Sequence, residues 1–240
     1  MIDTVIFDWG GTLTPWATVD HLAGWRRLAD VLHADDPDRA EVFAAALLAA
    51  DEARWMTVRD EHRAFTLAHV LADAADGADH PRERYEAALE AYREYWVQYT
   101  ATDPDAAPTL AALRERGLKL GVLSSTAWPR EWHEELFRRD GVLDLFDACV
   151  WTSELPWTKP HPTAFHAAMT AVGATDPARC VYVGDRPYDD ISGAKGVGMR
   201  AVLVPHSDIP VNQRVAVDVA PDAVIQRLAD LEEVVDSWLA

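Results

Sequence analysis

Carboxylates, hydroxyls and a lysine follow the ends of short apolar runs in this 240-residue chain. Phe7 is followed by Asp8-Trp9-Gly10-Gly11-Thr12, Leu123 by Ser124-Ser125-Thr126, and Val183 by Gly184-Asp185-Arg186-Pro187-Tyr188-Asp189-Asp190. Lys159-Pro160 comes after a further run at 148–151. A carboxylate can attack phosphorus or carbon and split a hard hydrolysis into two easier steps. Grouped carboxylates suit a hard cation that takes oxygen ligands. A hydroxyl and a lysine can neutralise charge on a transferring group. Each residue type also has a structural use. A strand-end Asp or Ser commonly caps a helix or turn, an Asp189-Asp190 pair favours a helix N-terminus, and a loop lysine is usually solvated. The choice depends on whether the fold gathers these groups.

The elements that must position them read as an alternation. Five short apolar runs, at 5–7, 118–123, 148–151, 180–183 and 201–204, have the continuous β-branched character of strands buried on both faces of a parallel sheet. Helical patterns at 132–139, 163–172 and 189–197 separate the last four. The expectation is therefore an α/β fold, a Rossmann-like doubly wound parallel sheet with right-handed crossovers. In such a sheet ligands bind beyond the carboxyl ends of the strands, where the chemistry-bearing residues fall.

Residues 16–105 read differently, as helices only. Tyr85, Ala88, Leu89, Tyr92, Tyr95, Trp96 and Tyr99 make a stripe of helical period that must face other helices, and 28–32, 42–48 and 65–71 give shorter versions. Pro104 and Pro108 mark the return, with Pro108 suited to the first turn of a helix ending near Gly117. The expected organisation is a core of residues 1–15 and 106–240 interrupted by an all-helical unit at 16–105. A last amphipathic helix is expected from Val224, Leu228, Leu231 and Val234-Val235.

In the order and placement of four motifs the chain resembles the haloacid dehalogenase (HAD) superfamily. Asp8 with Gly11-Thr12 is similar to the first motif, Ser124 to the second, Lys159 to the third, and Gly184-Asp185 with Asp190 to the fourth. The resemblance covers residues 1–15 and about 106–210, and the insertion sits where that family places a helical C1-type cap. It implies a hydrolase with Asp8 as nucleophile and Ser124 and Lys159 as catalytic partners. It also implies Mg²⁺ held by Asp8, Asp185, the carbonyl of Gly10 and Asp190 (or Asp189), with Gly11, Thr12 and Ser125 toward the substrate, while Arg130 is read from its residue type as able to hold an anionic substrate group. Glycines at 10 and 11 permit a sharp turn and a close backbone approach.

One position departs from the pattern. Phosphatases of the family carry a second Asp two residues after the nucleophile, where this chain has Gly10. Loss of a general acid–base typically lowers rates by about 10² to 10⁴. Four explanations are open. The leaving group needs no proton, as with acyl phosphates, aryl phosphates or phosphoanhydrides, or another group such as His21 replaces the acid. The enzyme cleaves a carbon–phosphorus bond, as similar phosphonoacetaldehyde hydrolases do with a Schiff-base lysine from the cap, but residues 16–105 lack lysine altogether. It displaces halide without metal, against which the retained carboxylates stand. Or it binds a phosphorylated ligand and turns it over poorly. The expected function is Mg²⁺-dependent hydrolysis of a phosphorylated small molecule with a good leaving group, with a 2-haloacid dehalogenase or a weakly catalytic binding protein as alternatives. Trp9, Trp16, Trp128, Trp132 and Trp157 flank the motifs and either line an apolar entrance or pack ordinary helices. Arg186 can hold an anionic group or pair with its neighbours.

Bulk properties bound the partners. Hydrophobic residues make up 49% and charged residues 26%, an ordinary globular composition, and the net charge of −18 opposes nucleic acid and anionic membranes. Lys119, Lys159 and Lys195 are the only lysines. Cys149 and Cys180 lie in apolar runs and are expected as free thiols. With no apolar span or signal-like start, the expected location is the cytoplasm, and a homodimer is compatible with this reading.

Overall fold

The computed structural model describes residues 1–75, 77 and 79–239. Its parallel sheet comprises β1 (Thr4–Phe7), β2 (Lys119–Ser124), β3 (Ala148–Trp151), β4 (Cys180–Gly184), β5 (Arg200–Leu203) and β6 (Ala223–Val224) in the order β3-β2-β1-β4-β5-β6. The five expected strands are present, each within a residue or so of its apolar run. Alternate side chains serve opposite faces, which is why the runs are continuous. Val5, Phe7, Leu120, Val122, Val181 and Val183 pack on one side with Leu110, Phe137 and Leu231. Ile6, Leu123, Tyr182 and Ala201 pack on the other with Phe165, Met169 and Ala194.

The flanking helices are α5 (Ala106–Glu115), α6 (Arg130–Arg139), α7 (Pro162–Ala171), the short α8 (Gly193–Gly196) and α9 (Leu231–Leu239). Pro108 falls in the first turn of α5, and Gly117 beyond its end takes φ 76°. Two expectations are corrected. Val224 belongs to edge strand β6, where its side chain is 52% exposed, and α9 begins only at Leu231. The backbone of 223–224 pairs with β5, so two ladder residues outweigh the helical spacing that Val224 shares with Leu228. The helix expected at 189–197 begins earlier, as a π-helical turn over Pro187–Ser192 that passes into α8.

Between β1 and α5 run α1 (His21–Leu32), α2 (Pro37–Glu61), α3 (Leu67–Asp73) and α4 (Arg82–Val97). Asp20 caps α1 by accepting from Ala23 N at 3.0 Å, and Asp36 caps α2 ahead of Pro37. These helices bury a cluster of their own, including Trp25, Leu28, Leu47, Val70, Ala88 and Tyr92. Trp25 stacks on Tyr92 with centroids 4.4 Å apart. The α4 stripe is thus spent largely inside this cluster, while Tyr95 donates to the Asp20 carbonyl and Tyr99 faces a cavity. The helices also touch the sheet domain. Thr158 N donates to the His62 carbonyl (2.9 Å), Ala64 N to Pro156 O (3.2 Å) and Leu67 N to Ala127 O (2.8 Å), and His62 Nε2 meets Tyr188 Oη at 3.0 Å. Cys149 and Cys180 are free thiols. Among the described residues no helix is long and apolar enough to cross a membrane.

Candidate active site

β1 lies where the sheet order reverses, with β2 on one side and β4 on the other. Phe7 is in register with both Val122 and Val183. The residues just past these positions, Asp8, Ser124 and Asp185, therefore meet at one edge, in the crevice where open α/β sheets bind ligands. Asp8 N is anchored to Val183 O at 2.8 Å. The chain then turns tightly: Thr14 N donates to Trp9 O at 2.9 Å, and Gly11 N to Thr14 O at 2.7 Å. Gly11 has φ +84°, and a Cβ there would lie 2.5 Å from Asp185 Oδ2. Its absence lets the first loop sit directly on the fourth.

Lys159, only 2% exposed, reaches this edge from the segment after β3. Its ammonium donates to Asp8 Oδ1 (2.8 Å), Asp190 Oδ1 (2.6 Å) and Tyr182 Oη (3.0 Å). Tyr182 in turn donates to Leu123 O at 2.9 Å. Burial by itself would pull the lysine pKa down, but Asp190, Asp8 and Tyr182 outweigh it and hold the value well above the ordinary one. The lysine stays charged.

Asp190 is brought round by the π-helical turn. Arg186 O accepts from both Asp190 N (3.0 Å) and Ile191 N (3.2 Å), while Asp190 Oδ2 accepts from Arg186 N at 2.9 Å. The widened turn points the carboxylate back under Gly184, where a Cβ would lie 2.5 Å from Asp190 Oδ2. Asp190 therefore joins Asp8 and Asp185, their ligand atoms all within 4.8 Å of one another. Asp189 points elsewhere, into the cavity lining beside Arg186 at 3.4 Å.

Charge in this cluster is unbalanced. Of the three buried carboxylates, Asp8 and Asp190 share Lys159, while neither oxygen of Asp185 has a hydrogen-bond partner among the described residues. Burial, then repulsion from Asp8 and Asp190, pushes the Asp185 pKa well above the usual carboxylate range. Asp190 is pushed up to about 6, by burial first. A buried carboxylate with no donor is costly, and an oxygen-only donor set is what a hard divalent cation takes. The residues present thus fit Mg²⁺.

The remaining candidates divide. Gly10, Gly11, Ser124 and Ser125 line a cavity of about 580 Å³ with Asp8 and Lys159 at its base, and Ser125 Oγ accepts from Thr158 Oγ1 at 2.7 Å. Thr12 is buried outside the lining, its hydroxyl without a partner among the described residues. Arg130 is also outside the lining: its guanidinium is held by Glu154, by Glu134 at 3.0 Å and by the Cys149 carbonyl at 3.0 Å. Its helical neighbour Glu134, four residues on, gives it a partner before any ligand can. Arg186 lies in the lining, paired with Asp189. Of the flanking tryptophans, Trp9, Trp16 and Trp128 line the cavity. Trp132 packs against the insertion cluster, and Trp157 stacks on His161. Tyr182 went unread as a site residue. A tyrosine in the middle of a fully buried strand must find a partner for its hydroxyl, and that was the available signal. Tyr188, Trp55 and the lining residues at 208–211 and 213–215 carried no local signature.

Comparison with known proteins agrees with this geometry. The model of haloacid dehalogenase-like hydrolases matches residues 2–198. A glyceraldehyde 3-phosphate phosphatase of Methanopyrus kandleri is 36% identical over 159 residues, 66% of this chain and 67% of that protein. A phosphoserine phosphatase of Thermus thermophilus is 32% identical over 165 residues, 69% of this chain and 60% of the relative. The match to a Methanothermobacter thermautotrophicus glyceraldehyde 3-phosphate phosphatase takes in only 43% of that protein. Among solved structures, a HAD phosphatase from Thermococcus onnurineus superposes with TM-score 0.64 at 27% identity over 98% of both chains. A 2-haloacid dehalogenase from Pseudomonas syringae does so with TM-score 0.67 at 27% identity, over 99% of this chain and 100% of that one.

Proposed function

Because the chain belongs to the haloacid dehalogenase-like hydrolases, we propose that it hydrolyses a phosphorylated small molecule through Asp8, with Mg²⁺ and with a leaving group that departs without a proton. The observation that carries this reading is the pairing of Asp8 with a buried Lys159, beside an Asp185 carboxylate that has no partner among the described residues. Lys159 holds Asp8 oriented toward the cavity and remains as the local positive charge when a phosphate enters. Asp8 attacks phosphorus, the bond to the leaving oxygen breaks, and water then cleaves the aspartyl phosphate. Ser124, in the lining, is placed to donate to a phosphate oxygen. Asp8, Asp185 and Asp190, with the carbonyl of Gly10, would hold Mg²⁺, which supplies charge neutralisation on the phosphate oxygens. The names of the phosphatase relatives favour phosphate over halide.

Residues 16–105 serve in this reading as a cap, since the cavity wall is completed by Trp55, Val58 and Trp96 from α2 and α4. Closure over the substrate excludes water during attack. A dehalogenase reading has one observation in its favour, the likeness to the Pseudomonas syringae enzyme combined with Gly10. The Asp185 carboxylate, with no hydrogen-bond partner among the described residues and repelled by Asp8 and Asp190, weighs against it, because a metal-free site gains nothing from crowded buried acids.

The test is a panel of acetyl phosphate, aryl phosphates, alkyl phosphates and 2-haloacids, each with Mg²⁺ and with chelator. Phosphate release from the first two classes, lost with chelator and reduced at least about 10³-fold in Asp8→Asn, is the expected outcome. Halide release that survives chelation would move the assignment to the dehalogenase class.

A further inference from the structure

The cavity above Asp8 is much larger than a phosphate group and its outer wall is aromatic. Trp9, Trp16, Trp55, Trp96, Tyr99 and Trp128 all contribute to its lining, with Val19 and Val58 between them, around a volume of about 580 Å³. This is the size and character of sites that enclose ring-bearing organic ligands. A small acyl phosphate would leave most of it filled with water against apolar walls.

The cationic side chains of the lining are all paired. Arg59 is held by Asp60 at 2.7 Å, Arg214 by Asp208 at 3.0 Å, Arg186 by Asp189 at 3.4 Å, and Lys159 by Asp8 and Asp190. A phosphoanhydride brings additional negative charge with its leaving group, and every cation here already has a carboxylate against it.

Gly10 adds a chemical constraint that agrees with the wall. A phenol ionises near pH ~10, against ~16 for water, so a phenolate leaves phosphorus without a general acid far more readily than an alkoxide does.

We infer that the substrate is an aryl phosphate monoester, its ring held against the tryptophan wall and its phosphate at Asp8. The inference rests on the phosphatase reading above and narrows its leaving group. In the step it implies, an Asp8 carboxylate oxygen bonds to phosphorus as the P–O(aryl) bond breaks. The bonding pair leaves on the phenolate, which takes a proton from solvent. Water then attacks phosphorus, the P–O bond to Asp8 breaks, and the products are a phenol and inorganic phosphate.

The experiment compares phenyl and 2-naphthyl phosphate with acetyl phosphate and glycerol 2-phosphate in Mg²⁺, and measures binding of phenylphosphonate and methylphosphonate by calorimetry. Because acetyl phosphate is the more labile compound, a higher kcat/KM for the aryl esters, by at least about tenfold, reports recognition of the ring. Phenylphosphonate should bind at least about tenfold tighter than methylphosphonate, whatever the turnover. In Trp16→Leu and Trp55→Leu the aryl-to-acetyl ratio of kcat/KM should fall by about tenfold, chiefly through KM. Acetyl phosphate turned over as well as the aryl esters, with the two phosphonates binding alike, would overturn the aryl assignment while leaving a phosphatase. Absence of turnover of every phosphate compound, alongside halide release from a 2-haloacid, would remove the phosphatase reading and the inference with it.

Discussion

At the scale of single residues, Gly10 stands where the family resemblance leads one to expect a second Asp, and the structure shows that the position is not closed to a side chain. A Cβ at Gly10 would meet nothing within 4 Å, and Gly10 is not among the glycines with positive φ. An Asp side chain therefore has room to face the cavity. Gly10→Asp is expected to raise alkyl phosphate turnover by about 10² to 10⁴-fold, the worth of a general acid. Aryl turnover should rise far less, because a phenolate gains little from protonation. The measurement is kcat/KM on glycerol 2-phosphate and phenyl phosphate in parallel. Gly11 is the opposite case: its φ of +84° and the adjacent Asp185 leave no place for a side chain.

At the scale of elements, α2 carries a feature unrelated to the reaction. Asp51 is 7% exposed inside the helical insertion, beside the indoles of Trp25 and Trp55. Burial pushes its pKa from 3.8 up to about 6, an effect that Glu52 reinforces and the two indoles partly offset. The folded state holds this proton more tightly than the unfolded chain. The Asp51 contribution therefore improves as pH falls through 6, is complete below 3.8, and is a full penalty of about 3 kcal/mol above 6. Asp51→Asn keeps an oxygen for the indoles and removes the charge. Urea unfolding should find the variant more stable than the parent by roughly that amount at pH 8, with the difference fading toward pH 4. A constant difference across that range would show that Asp51 is not the titrating group.

For the whole molecule, a cation bound at the proposed carboxylate site would be linked to folding. Neither oxygen of Asp185 has a hydrogen-bond partner among the described residues, and a bound cation would relieve its repulsion from Asp8 and Asp190. A hundredfold excess of Mg²⁺ over Kd stabilises by about 2.7 kcal/mol, a rise in Tm of roughly 5–11 °C for a chain of this size. Asp185→Asn should raise Tm in chelator and flatten the Mg²⁺ response, and calorimetry reads both without any substrate. The same cluster is reached from the helical insertion. The segment after α2 hydrogen-bonds through His62 and Ala64 to the stretch just before Lys159, and His62 meets Tyr188 in the π-helical turn. The two parts of the chain are thus joined beside the proposed catalytic lysine.

Much of this was legible from residue order alone, because strands buried on both faces must be written as short apolar runs and their ends in a parallel sheet share one edge. That logic sufficed for the strands, for the all-helical reading of 16–105, and for bringing Asp8, Ser124, Lys159 and Asp185 together. It did not suffice where a choice depended on direction. Asp189 and Asp190 are equivalent in sequence, and only the π-helical turn sends Asp190 to Lys159 and leaves Asp189 to Arg186. Arg130 looked available until the fold set Glu154 and the Cys149 carbonyl against it. Val224 has the spacing of a helix but the backbone of an edge strand. The aromatic wall required α2 and α4 to fold back over β1, so residues far from Asp8 in the chain, such as Trp55 and Trp96, line the same cavity. Local composition dictates which residues are able to react. Long-range packing dictates which of them face one another, because side-chain direction and partner competition are settled only when distant segments meet.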